Sequence, residues 1–197
     1  MGYWDAVKRP FTSAHSMLLG TLYGILPIVN FLVLGYVLEC ASTAAKKHEE
    51  LPKWEQYGRL FRRGFGALVI KFIWNIPTII AAGIAGYNDD YFAVGIIAAG
   101  IFATIASYIS SASLVRYAVE DEFSKAFTLS VLFSKIFQGK WLLAWLVVLL
   151  YTILLLIPTT LLSIVTLPTL VGPTLIGSVF TYVWLVMSMT IYGEAYA

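Results

Sequence analysis

Four runs of more than twenty residues, Phe65 to Gly86, Tyr91 to Val115, Trp141 to Val165 and Thr169 to Tyr192, carry one charged side chain among them. At about 1.5 Å per residue, a helix of about 20 apolar residues crosses a hydrocarbon core of about 30 Å. A water-filled interior offers no comparable use for four such runs. The expected fold is therefore all-α: a polytopic transmembrane helical bundle of one domain, with five or six membrane segments arranged as helical hairpins. Only 12% of the 197 residues are charged, about half the share usual in soluble domains.

The connections Tyr87-Asn88-Asp89-Asp90 and Thr166-Leu167-Pro168 are too short for any extramembrane domain, so the four runs form two hairpins. Basic residues assign their sides. Lys46, Lys47, Lys53, Arg59, Arg62 and Arg63 precede the first hairpin, and Arg116, Lys125, Lys135 and Lys140 lie between the two, whereas the tight turns hold none. The positive-inside rule then makes the long basic connections and the C-terminus cytoplasmic in a multi-pass cell-membrane protein.

A fifth stretch, Ser16 to Leu38, contains Pro27 and Asn30 near its centre. It has two readings. As a single crossing it puts Lys8 and Arg9 outside. As a hairpin bent at Pro27 to Asn30 it keeps them inside, at the cost of arms short for a full crossing. Charge favours the hairpin. The stretch is longer than a signal-peptide core and is followed by charge rather than by a soluble domain, so it is expected to stay attached.

Sliding the chain by 50 residues aligns Trp4 with Trp54, Arg9 with Arg59, Phe11 with Phe61, Leu18 with Leu68 and Pro27 with Pro77. Trp4, Val7 and Phe11, like Trp54, Tyr57 and Phe61, have the spacing of one helix face. This predicts interfacial amphipathic helices, each feeding a proline-containing span, in repeat units 1–45, 51–118 and 119–193. The third begins at Phe123 and sets Phe123, Phe127, Leu132, Phe133, Ile136 and Phe137 against Lys125 and Lys135.

The run Pro27-Ile28-Val29-Asn30, then Gly35-Tyr36, Leu51-Pro52-Lys53-Trp54, Leu60-Phe61-Arg62-Arg63-Gly64 and Pro77 resembles a mainly archaeal family of multipass membrane proteins catalogued as a domain of unknown function, number four thousand and thirteen. The resemblance covers about residues 16 to 120. It implies a prokaryotic cell-membrane protein and carries over no activity and no catalytic residue. In physical terms Pro52 suits a first helical turn, Glu55 and Arg59 an i, i+4 pair, and Gly35 and Gly64 either a close helix approach or a bend.

Few residues invite chemistry. Lys71 is the one basic residue inside a span, where a charge costs at least about 2.5 kcal/mol, and Asn75 shares its face. With Asn30 they form the candidate polar intramembrane set near Pro27 and Pro77; the lysine either snorkels to the cytoplasmic interface or pairs with Glu39 or Glu120. Gly95, Ala99, Ala103, Ser107 and Ser111 recur every four residues, a helix-packing stripe serving either this chain or a second copy. Glu120, Asp121 and Glu122, like Glu49 and Glu50, read as solvated charges favoured by a helix N-terminus. Cys40 alone makes no disulfide framework, and His15 and His48 make no metal cluster.

No nucleophile-base set, phosphate loop or dinucleotide fingerprint appears. A net charge of +2 gives no reason to expect nucleic acid. The expectation is a non-enzymatic membrane-organising or assembly component, with no catalytic residue, metal or cofactor. Its partners would be membrane lipids and a second copy or another membrane protein. The alternatives are a small transporter or channel with a site near the proline-broken spans, and, third, a lipid-handling enzyme.

Overall fold

The computed structural model describes residues 2–87, 89–169 and 171–197. Eight α-helices make up the described chain: α1 Tyr3–Lys8, α2 Ala14–Ile25, α3 Asn30–Ala45, α4 Tyr57–Tyr87, α5 Asp89–Glu120, α6 Leu129–Ile136, α7 Gly139–Thr166 and α8 Gly172–Tyr196. The described residues contain no strand. Four helices, α4, α5, α7 and α8, are long and apolar enough to cross a membrane. Asn88, expected in the first tight turn, lies outside the described residues. The second turn is a 3-10 segment, Leu167–Thr169.

The stretch 16–38 is not one helix. Ser13 caps α2 by accepting the Ser16 amide at 3.2 Å, and α2 stops at Leu26, whose extended backbone (φ −91°, ψ 120°) is what a following proline enforces. The chain turns over Pro27 to Val29 and returns as α3. At 12 and 16 residues, α2 and α3 measure about 18 and about 24 Å, each short of a full crossing. Pro77 and Pro158 behave differently: both sit inside unbroken helices, where neighbouring turns hold the backbone despite one missing donor each.

The expected 50-residue equivalence also divides at its start. Trp4 is in α1, but Trp54 lies in the loop before α4, 8% exposed and stacked on Tyr36 with ring centroids 4.0 Å apart. Pro52 is in the same loop, outside any first helical turn. Arg59 pairs with Glu39 on α3. Stacking on Tyr36 holds the Trp54 ring in the core, away from an interfacial helix face. In the third unit α6 buries Leu132 and Ile136 and leaves Phe133 and Phe137 outside.

The packed core gathers the middle of α3, the first turns of α4, the last turns of α5 and residues 182–193 of α8. Beyond this base two pairs, α4 with α5 and α7 with α8, run on as arms with exposed apolar faces. Glycines set the closest crossings in the base. A side chain on Gly35 would overlap the Leu60 carbonyl, one on Gly64 the Phe31 carbonyl, and one on Gly193 the Ala41 carbonyl.

Charges ring this base. Arg9, 1% exposed, donates to the Cys40, His48 and Glu50 carbonyls at 3.0, 3.1 and 2.8 Å and to the Thr43 and Thr190 hydroxyls at 2.8 and 3.2 Å. Arg63 joins three helices, reaching Glu39 at 3.4 Å, Asp121 at 2.7 Å and the Ala118 carbonyl at 2.8 Å. Asp121 is turned toward it by a left-handed backbone (φ 55°). Arg116 holds Glu120 at 2.9 Å. The acidic triplet therefore sits at the C-terminal end of α5, where the macrodipole disfavours it, and arginines offset the charge of Glu120 and Asp121.

Candidate functional site

Three helices of different origin each bring polar side chains, one turn apart, to one cleft beside the base. From α4 come Lys71 and Asn75, from α5 Ser107, Ser110 and Ser111, and from α8 Ser188, flanked one turn away by Trp184 and Tyr192. The i, i+4 spacing puts each set on one helix face. The cleft encloses about 220 Å³. Leu114, Leu185 and Met189 supply apolar wall.

Several of these groups already have partners, and those partners orient them. Asn75 donates its amide to the Lys71 carbonyl at 2.8 Å. Ser111 donates to the Tyr108 carbonyl at 2.8 Å, and Ser107 accepts from Trp145 Nε1 at 3.2 Å. Trp184 Nε1 is tied to Thr152 at 2.8 Å. Two groups are not used up. Ser188, 3% exposed, has a hydroxyl with no hydrogen-bond partner among the described residues, and no carboxylate lines the cleft around Lys71.

Both carboxylates expected for Lys71 are engaged elsewhere, Glu39 by Arg59 and Arg63 and Glu120 by Arg116. The lysine makes no ion pair among the described residues. What remains to meet a ligand is the Lys71 amine and the Ser188 hydroxyl, since Asn75, Ser110 and Ser111 already donate within their own helices, and this pair suits an acceptor-rich group. Among the described residues there is no group of three metal-ligating side chains.

Of the candidate polar set, Lys71 and Asn75 come together but Asn30 does not join them. Asn30 lies in a second pocket, of about 300 Å³, with Ser178, Thr181 and Tyr182 of α8; Leu185 stands in the wall of both. The packing stripe is divided as well. Gly95 is buried where a side chain would come within 2.6 Å of Ala85, Ala99 and Ala103 are half-buried, and Ser107 faces the cleft. Gly95 therefore serves the α4–α5 contact of this chain.

Ser110, Ser188, Trp184 and Tyr192 were absent from the sequence-derived set. A signal existed, because Trp184, Ser188 and Tyr192 recur every four residues along an otherwise apolar span. Only the tertiary fold brings that face against Lys71.

The family model described as Protein of unknown function (DUF4013) matches residues 18–165. No curated protein and no solved structure matches the chain.

Proposed function

The chain belongs to the DUF4013 family, and from that footing we propose that it is a non-enzymatic integral membrane component that organises the lipid around it. The observation that carries this reading is how little of the long helices the protein keeps for itself. Within their most apolar windows only 17% of α4, 11% of α5 and 11% of α7 is buried, against 50% of α8. Three of four long helices thus keep few fully buried residues in their most apolar windows. On this reading the surroundings are acyl chains, and the two arms are paired crossings joined at a basic, cytoplasmic base. The α2–α3 hairpin adds a re-entrant pair, for six segments in all.

Reconstitution at increasing protein-to-lipid ratio, with acyl-chain order followed by a bilayer-resident fluorescent probe, tests this. Order should change in proportion to protein and do so equally in a Lys71→Met variant.

A second reading, a small transporter, is favoured by the Lys71 cleft itself. Unchanged chain order together with anion flux that disappears in Lys71→Met would replace the first reading by the second.

A further inference from the structure

We infer that the cleft between α4, α5 and α8 is a binding site for the phosphate of an anionic phospholipid, held by Lys71 with its acyl chains lying along the exposed faces of the arms. The inference rests on the arms being membrane-embedded and adds the ligand to that reading. Three observations carry it: the charge balance inside the cleft, its depth, and the nature of the surface leading out of it.

The charge balance comes first. Lys71 enters a lining of hydroxyls, an amide and apolar groups without one carboxylate, although every arginine at the base that is buried has an acceptor set of its own. Arg63, Arg116 and Arg9 show that this fold satisfies buried cations when it has the means. A cation left without a counter-charge beside an unpartnered buried hydroxyl, Ser188, is a site short of an anion with several acceptor oxygens. A phosphodiester meets that description: it takes a charge-assisted bond from an ammonium and further bonds from hydroxyls.

Depth then separates a lipid from a soluble anion. Lys71 lies sixteen residues before the end of α4 at Tyr87, and Ser188 sixteen residues after the start of α8 at Gly172, so both stand about 24 Å from the arm tips. If the tips mark one edge of a hydrocarbon core about 30 Å thick, the cleft lies just inside the other edge. Phosphates of the base-side leaflet sit immediately beyond that edge, within reach of a lysine stem that extends toward it.

The exit surface agrees. From the cleft toward the tips, the faces of α4 and α5 that line it continue through Ile79, Ile96 and Ile97, all exposed and apolar. A free anion gains nothing from this surface. A lipid whose phosphate is anchored at Lys71 covers it with its chains.

The test uses the full chain in nanodiscs. Wild type, Lys71→Met and Lys71→Arg are prepared in phosphatidylcholine with a small fraction of phosphatidylglycerol, and the lipid retained after detergent exchange is identified by native mass spectrometry. The expected result is selective retention of about one phosphatidylglycerol, weakened about tenfold or more in Lys71→Met and largely restored in Lys71→Arg, as loss of one charge-assisted bond predicts. Equal retention by Lys71→Met overturns the inference. In a parallel arm, inorganic phosphate is titrated into discs of phosphatidylcholine alone. Lys71-dependent thermal stabilisation there, without lipid retention, overturns the lipid assignment and makes the ligand a free anion. Changed acyl-chain order with Lys71-independent retention would remove this site and leave the membrane-organising reading standing.

Discussion

Gly64 approaches Gly35 so closely at the α3–α4 crossing that a Cβ on Gly64 would lie 3.0 Å from the Gly35 amide nitrogen, while also overlapping the Phe31 carbonyl. Inside a bilayer, helices gain little from hydrophobic association, and van der Waals packing of this kind holds them together.

Alanine at either glycine therefore has to push two backbones apart. Gly35→Ala and Gly64→Ala should each cost about 3 kcal/mol or more, seen as a large fall in melting temperature in detergent. Gly83→Ala is the matched control, since nothing lies within 4 Å of its added Cβ. It should be neutral or stabilising by up to about 1 kcal/mol.

Arg63 and Asp121 offer an asymmetric pair. Removing the guanidinium in Arg63→Met weakens the pairing of Glu39 and Asp121 at once and leaves the Ala118 carbonyl without its donor, so a loss of about 3 kcal/mol is expected. Asp121→Asn should cost less than about 1 kcal/mol, because its side chain is 43% exposed and water replaces the charge. Equal effects in chemical denaturation would mean that Arg63 is not the hub.

Arg9→Lys keeps the charge and loses the fork. A lysine cannot reach acceptors on α3, on the following loop and on α8 together, so at least one buried acceptor goes unpaired, costing about 1–3 kcal/mol. The expected readout is local: faster amide exchange and tryptic cleavage at Lys46 and Lys47, with the α4–α5 arm unchanged. Protection equal to wild type would show that the loop is held by other contacts.

The side on which the N-terminal segment lies follows from the bend at Pro27. In a Cys40→Ser background, cysteines placed at Ser13 and at Lys53 should react alike with a membrane-impermeant reagent on intact cells, and a cysteine at Tyr87 should react oppositely. Opposite behaviour at Ser13 and Lys53 would make residues 16–38 a net single crossing and remove the six-segment arrangement.

Spans were legible in the sequence because burying an uninterrupted apolar run in lipid is a local property of about twenty residues. So were the two glycines, because the bare pattern of Gly35 and Gly64 suggested close approach. What eluded sequence reasoning was pairing. Lys71 invited pairing with Glu39 or Glu120 at the ends of neighbouring helices, yet Glu39 is drawn to two arginines of α4 by the α3–α4 crossing. Nor could the prolines be ranked: Pro27 terminates a helix with few neighbours to support it, whereas Pro77 and Pro158 are carried inside helices long enough to absorb a missing bond. The cleft needed all three helices in place, and its third polar face, on α8, comes from more than a hundred residues after Lys71.

Arg9 also bears on the order in which the molecule is built. Its guanidinium bonds the hydroxyl of Thr190, so Arg9 acquires this partner only after the 181 residues that separate them have been made and α8 has packed. The Arg9 cluster is thus completed in two stages, first with Cys40, Thr43, His48 and Glu50 and last with α8, and a nascent chain arrested before α8 would carry an Arg9 still waiting for its last contact.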